Sequence, residues 1–377
     1  MQQPLSLIGG MVLRPNRALE PGDVHVADGL IVETPANDSA QIDCKGKHVL
    51  PGIVDVHGDA FELELHPRPD IDIAFPIAMA SVDRQLISNG ITTAYHGLTL
   101  SWEPGARSLP AARAFMSGLV QERPNFLADH RVQLRWETFA HDALNDLAQW
   151  LTESPTPAIA FNDHTTETLG VIAEGDTASL DKWATRAGIS RDDYVAQAKA
   201  ASAHAANVPG MIAKVAAMGR QNGAIMLAHD ETSAQDRTTH RALGMSVSEF
   251  PLTREAARAA VSNGEHTVMG APNVLRGLSH KGNLSAIDAI SEGLCTVLAS
   301  DYYYPSQLHA AQALVTQGIL PLEQAWALVS TNPAAAMGLT DRGAIHPGQR
   351  ADMVVLDTSA HWHPHQIIAC GAISSFG

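Results

Sequence analysis

Cysteine is scarce in this 377-residue chain: Cys44, Cys295 and Cys370 are far apart, odd in number and without a C-x-x-C spacing. That argues against a disulfide framework and for a reducing compartment, with the three thiols as packing residues. Basic residues are also few, 25 Lys and Arg against 40 Asp and Glu, for a net charge of −15. A general affinity for nucleic acid is therefore not expected. No apolar run approaches the roughly 18 residues that cross a bilayer. The opening Met1-Gln2-Gln3-Pro4-Leu5 has no basic region of the kind that begins a secretory signal. The cytoplasm is the expected location, with no membrane partner. Low-complexity tracts are missing too, and 45 % hydrophobic with 17 % charged residues is a folded composition. A chain of this length suits one large domain and a small accessory one.

What the chain does contain is a change of rhythm. Residues 5–13 and 23–33 read as short strands joined by Gly and Pro turns, and the turn 43–47 leads into the apolar run 48–56. From there short apolar runs alternate with Ala-rich segments of helical period. The strand candidates are 49–57, 92–98, 132–137, 158–163, 224–229, 245–250, 266–270 and 295–301. Helical segments fall at 78–89, 110–121, 142–151, 191–222, 254–262, 306–316 and 321–335, the fourth of these long enough for two helices. Eight such units predict an α/β fold, a (β/α)8 TIM-like barrel spanning 49–343. The β pattern returns at 343–357, and a terminal strand can pair with the first ones. A small β-sandwich domain built from both chain ends, 1–48 and 344–377, is expected.

The strand ends share a chemistry. A charged or imidazole group at the end of a buried apolar strand needs a partner or a metal. The first strand ends in His57-Gly58-Asp59, an i, i+2 pair on one face with room between. His96 ends the second strand, Glu137 the third, Asn162-Asp163-His164 the fourth, His229-Asp230 the fifth and Asp301 the eighth. Imidazoles and carboxylates without thiolates suit a divalent ion, Zn2+ first, with Mn2+, Fe2+ or Ni2+ compatible. His57, Asp59, Glu137, His164 and His229 are the candidate ligands, for one ion or two. Such an ion activates water near neutral pH, and Asp301 is the candidate to hold and relay the proton. His96 alone reads better as a hydrogen-bonded structural residue. Glu137 stands between ligand and salt-bridge partner of a barrel arginine.

These residues resemble the amidohydrolase superfamily. The resemblance rests on Leu50-Pro51-Gly52-Ile53-Val54-Asp55-Val56-His57, on His164, His229 and Asp301, and on a closing segment from Thr331-Asn332-Pro333-Ala334 to Gly348-Gln349-Arg350-Ala351-Asp352. Within it, three stretches are similar to the α-D-ribose 1-methylphosphonate 5-triphosphate diphosphatases of phosphonate metabolism. They are His66-Pro67-Arg68-Pro69, Met269 to Asn283 and Ser300-Asp301-Tyr302-Tyr303-Tyr304-Pro305-Ser306. That group carries H-x-D where the superfamily commonly has H-x-H, as Asp59 does here. The resemblance implies hydrolysis of a ribose 5-triphosphate to the 5-monophosphate and pyrophosphate. Many superfamily members bridge two metals with a carboxylated lysine on strand four. None of the six lysines here ends that strand, so a bridge would fall to Glu137 or Asp163. Arg68, Asn273, Arg276, His280 and Lys281, in loops after strands one and seven, are the expected substrate contacts. The alternative is C–N hydrolysis of a cyclic amide, N-acyl or deaminase substrate, with His96 and Trp102 shaping a neutral pocket. The aromatic stretch 93–105 matches none of the best-known members. A small-molecule substrate and a homodimer are the expected partners.

Overall fold

Runs of small and β-branched residues buried on both faces form one sheet in which every pair of neighbours is parallel. Its strands follow chain order: β1 (Ile53–Gly58), β2 (Ile91–Leu100), β3 (Asp129–Glu137), β4 (Ala158–Asn162), β5 (Met226–His229), β6 (Val247–Glu249), β7 (His266–Gly270) and β8 (Val297–Ala299). The computed structural model describes residues 3–16, 18–68, 71–277, 284–359 and 361–375. The sheet closes where Gly58 and Asp301 form a parallel bridge. Asp301 N donates to His57 O and Asp59 N donates to Asp301 O, each at 2.9 Å. Just inside, Asp55 accepts from Ser300 N at 2.9 Å and from Ser300 Oγ at 2.5 Å, a second clamp between β1 and β8. Ala158, Ala160, Leu227, Val247, Val268, Val297 and Ala299 fill the interior below the mouth.

Seven of the eight expected strands appear, 266–270 with the expected bounds and the other six with one or both ends displaced. The first, 49–57, divides at Gly52, where Thr92 leaves no room for a side chain: a Cβ would stand 2.2 Å from Thr92 Oγ1. His48–Pro51 belongs to a different sheet and only Ile53–Gly58 to the barrel.

That other sheet joins the two chain ends. Its path is Ala372–Ser375, His363–Ala369, Met353–Asp357, His48–Pro51, Leu5–Leu13, Leu19–Ala27 and Leu30–Val32. Met353–Asp357 runs antiparallel to His48–Pro51. Leu5–Leu13 changes partner at Gly9-Gly10: its first half pairs with Ala40–Asp43 and its second with His48–Pro51. Gly9 takes a φ of +74°, and a Cβ on Gly10 would lie 2.7 Å from Val49 Cγ2, so the kink needs both glycines. Leu7, Val12, Val26, Met353, Val355 and Ile368 form this sheet's own core.

Helices cover the barrel wall. The expected segment 191–222 is two helices, Arg191–Ser202 and Val208–Gln221. Two more precede it where the sequence reading has none. The three consecutive helices α1 (His164–Glu174), α2 (Thr177–Ala187) and α3 (Arg191–Ser202) form an insert between β4 and β5. Asp163 and Asp176 cap the first two by accepting from backbone N–H groups, and Gly175 and Gly188 end them with φ of 71°. Leu180, Ala184 and Tyr194 pack with Trp102 and Trp183 into a small core. Among the described residues no helix is long and apolar enough to cross a membrane.

Candidate metal centre and active site

In a parallel barrel the side chains that point inward at the C-terminal strand ends meet at one mouth. On β3 the period of two turns Gln133, Arg135 and Glu137 to the same side. Asn162 ends β4, His229 ends β5, Glu249 ends β6, and Asp301 follows β8. Three residues just past strand ends, Asp230, Phe250 and Asp301, adopt positive φ of 57°, 51° and 57°. Non-glycine residues rarely do so, and such strain concentrates where side chains must be aimed.

Glu249 lies at the floor, completely buried. Its Oε1 is 3.0 Å from His57 Nδ1 and accepts from Gln133 Nε2 at 2.6 Å; its Oε2 is 4.0 Å from His229 Nε2 and has no hydrogen-bond partner. Burial works against its charge, yet His57, with His229 and Gln133, holds its carboxyl below the usual range. Burial likewise opposes protonation of His57, and the Glu249 charge reverses this and raises it.

Two groups of side chains above Glu249 are able to hold a cation. His57, Asp59 and Asp301 offer ligand atoms within 4.8 Å of one another, and so do His164, His229 and Asp230. The His57 and His229 rings are 6.0 Å apart and the His164 and His229 rings 5.7 Å, so the groups adjoin. His229 Nδ1 comes within 2.7 Å of Asp230 Oδ2, yet neither ring nitrogen of His229 is in hydrogen-bonding geometry. A buried imidazole with two orphaned nitrogens beside carboxylates fits a divalent ion, and the all-N/O donor set matches the expected metals. Burial, aided by the Asp59 charge, raises the Asp301 carboxyl against the opposing pull of His57, Arg135 and His229.

A fixed positive charge stands among these ligands. Arg135 Nη1 donates to Asp59 Oδ2 at 3.3 Å, and Arg107 Nη2 is 3.7 Å from the same oxygen. Burial opposes the Asp59 charge, but Arg135, His57 and Arg107 hold its carboxyl below the usual range. Arg135 faces two cavities. One, of about 720 Å3 counting its open mouth, holds His57, His229, Asp230, Asn273 and Asp301. The other, of about 650 Å3, lies between the segment after β2 and the helical insert.

The structure brings His57, Asp59, His164, His229 and Asp301 together, although His164 is the first residue of α1 and not a strand residue. Glu137 stands outside both groups. Its Oε2 accepts from His164 N at 3.0 Å, and its Oε1 from Thr165 N at 3.1 Å and Thr165 Oγ1 at 2.7 Å. It anchors the N-terminus of α1, with His164 Nδ1 3.3 Å from Oε2, and it pairs with no arginine among the described contacts. Asp163 is exposed and caps the same helix. Asn273 lines the cavity that holds His57, His229 and Asp301. Arg276 and Arg68 are exposed, and neither lines either cavity; His280 and Lys281 lie outside the described residues. His96 points out of the barrel, where its Nε2 is 2.9 Å from His130 Nδ1 and its ring packs on Phe61 and Phe115. It shapes no pocket at the mouth, whereas Trp102 does line the second cavity. The sequence reading names Asn162 at its strand end without giving it a role, and does not name Glu249 or Arg135. The strand-end rule and the period of two point to all three.

Comparison with known proteins agrees with this geometry. Residues 195–374 match the amidohydrolase family. Over 351 residues the chain is 30 % identical to the α-D-ribose 1-methylphosphonate 5-triphosphate diphosphatase of Escherichia coli (strain K12), covering 89 % of this chain and 90 % of that one. The chain belongs to the amidohydrolase family. It is also 25 % identical over 365 residues to an adenine deaminase of Methylobacterium nodulans (strain LMG 21967 / CNCM I-2342 / ORS 2060), 94 % of this chain but 55 % of the deaminase. Among solved structures, molinate hydrolase superposes with a TM-score of 0.64 at 13 % identity, over 99 % of this chain and 95 % of that one. That likeness shows the shared amidohydrolase fold.

Proposed function

We propose that this hydrolase cleaves a phosphoanhydride, converting a ribose 5-triphosphate phosphonate ester to the 5-phosphate and pyrophosphate in alkylphosphonate use. The observation that carries the reading is the end-to-end similarity to the Escherichia coli diphosphatase, set against adenine deaminases of which the chain spans about half. Arg135 supports it. A guanidinium fixed among metal ligands would repel a bare cation, and it suits a site whose substrate brings negative charge of its own.

The residues that would hold the metal, Zn2+ as one or two ions, are His57, Asp59 and Asp301 on one side and His164, His229 and Asp230 on the other. Bound there, a divalent ion supplies Lewis acidity and makes water a nucleophile near neutral pH. Glu249 orients His57 through Nδ1 and leaves Nε2 free to ligate. Asp301, its backbone fixed across Gly58, takes the proton of the attacking water and returns it toward the leaving oxygen. Arg135 neutralises the phosphoryl oxygens beside Asp59. Asn273, which the structure puts on the helix Ala271–Arg276 and not in the expected loop, lines the cavity and is assigned to the departing pyrophosphate; the resemblance adds Arg68, Arg276, His280 and Lys281 to that role. Glu137 acts by positioning His164.

The test is product analysis on metal-loaded protein. A ribose 5-triphosphate should yield pyrophosphate, and Asp301→Asn, assayed at saturating metal, should lose about 100-fold or more in rate. Release of orthophosphate alone, or ammonia from adenine in place of pyrophosphate, overturns the assignment.

A further inference from the structure

We infer that the second cavity is a binding site for a sugar-sized polyol, the part of the substrate that does not react. The inference rests on the phosphoanhydride reading only in taking that polyol to be the body of a triphosphate ester.

The floor of this cavity carries polar atoms with nothing to bond. Thr99 Oγ1, both amide atoms of Asn162 and Arg135 Nε are buried and without hydrogen-bond partners, and Asn162 is 2 % exposed. Native proteins rarely leave such atoms unpaired, and here donors and acceptors are mixed. An occupant must therefore both give and accept hydrogen bonds, as a hydroxyl does.

The walls narrow the class further. Glu103, Glu137 and Glu167 line the cavity. Of the three arginines that line it, Arg107, Arg135 and Arg186, the first and last are already committed. Arg186 Nη2 donates to both oxygens of Glu103 at 2.9 Å, and Arg107 Nη2 donates to Glu62 Oε2 at 3.2 Å while standing 3.7 Å from Asp59. A polyphosphate entering here would meet three carboxylates with the Nε–H of Arg135 as the one unpaired guanidinium donor among the described lining contacts, which is unfavourable. Hydroxyls, by contrast, donate to carboxylates and accept from guanidinium and amide N–H groups. The Trp102 ring is held by its own Nε1–H bond to Thr165 Oγ1 at 2.8 Å, so it offers a fixed apolar surface beside these polar groups. The space is about 650 Å3 counting its open mouth. Arg135 belongs to both cavities. A ligand spanning them places an anionic group at that guanidinium, with its polyol on the insert side and its reacting end among the metal ligands.

Calorimetric titration of the metal-loaded protein with D-ribose 5-phosphate, orthophosphate, adenine and pyrophosphate tests this. The wild type should bind D-ribose 5-phosphate at least about tenfold more tightly than orthophosphate. Asn162→Ala should erase that preference, and Glu167→Gln should reduce it by about threefold or more, with orthophosphate binding unchanged within about twofold. Glu167 is exposed on α1, so its variant folds even where Asn162→Ala does not. Equal binding of D-ribose 5-phosphate and orthophosphate overturns the inference, as does a preference intact in Glu167→Gln and any folded Asn162→Ala, or adenine taking the site instead. Failure of the wild type to bind pyrophosphate counts against the diphosphatase reading and leaves the polyol site to the other probes.

Discussion

Glu249 Oε1 and His57 Nδ1 meet at 3.0 Å beneath two adjoining groups of side chains able to hold a cation, and the second oxygen of Glu249 faces His229. One buried carboxylate thus orients His57 by a hydrogen bond and leaves its other oxygen, without a hydrogen-bond partner, 4.0 Å from His229 Nε2.

Replacing Glu249 by Gln keeps the shape and removes the charge. Metal affinity should fall about 10- to 100-fold, the usual consequence of removing a carboxylate behind a ligating histidine. Chelator competition monitored by elemental analysis measures it, and an unchanged affinity would show that Glu249 only fills space.

Arg135→Gln separates metal from substrate. With the guanidinium gone, Asp59 loses its hydrogen-bonded cation partner, so metal should bind as tightly as before or more so. The triphosphate KM should rise by about tenfold or more, since a charge-assisted contact is lost. A parallel loss of both would instead make Arg135 a prop for the ligand set. Arg135→Lys, which keeps the charge and loses the planar fork, should fall between the two.

Gly58→Ala places a methyl 2.7 Å from Asp55 Oδ2 and 2.9 Å from Ser300 Oγ, at the seam where β1 meets β8. Overpacking of this kind costs about 1–3 kcal/mol. Denaturant unfolding should register that loss, and a wild-type midpoint would mean that the seam can open without cost.

Asp83 gives a pH signature away from the metal. Its carboxylate is 3.0 Å from His130 Nε2 and accepts from Leu127 N and Ala128 N. Burial works against its charge, but these bonds hold its pKa below the ordinary carboxylate value. A lowered folded pKa adds stability at neutral pH that drains away as pH falls from the ordinary carboxylate range through the folded value. Asp83→Asn should therefore be less stable than wild type by about 2 kcal/mol at neutral pH, and the gap should close below about pH 4. Thermal melts across that range settle it; a gap independent of pH means packing, not charge, is at work.

The barrel is legible because parallel strands buried on both faces read as unbroken apolar runs, and a metal ligand at a strand end interrupts such a run conspicuously. His57, His229 and Asp301 are visible for that reason. Glu249 is harder to see: Ser246 and Ser248 give its strand the alternation of a solvated edge, although burial puts both Ser248 and Glu249 at 0 % exposure. Arg135 and Asn162 require the inward parity of β3 and β4, which one residue of error inverts. At β4 that error attaches weight to Asp163, a helix cap, and gives Asn162 no role. The helices α1 and α2 escape a periodicity search because threonines dilute their apolar stripe. Their boundaries are nevertheless written in Asp163, Gly175, Asp176 and Gly188.

Two carboxylates help fasten the insert to the barrel mouth: Glu137 holds the start of α1, and Glu103 holds Arg186 of α2 and Tyr194 of α3, the latter at 2.6 Å. With the two sites as proposed, reactivity and selectivity fall to different stretches of the chain. Most metal-ligand groups come from β1, β5 and β8, while the second cavity is walled by residues 99–107 and 162–194. Such a division lets mutation or recombination exchange the selective stretch while the reactive ends are inherited intact, with His164, at the start of α1, as the hinge common to both.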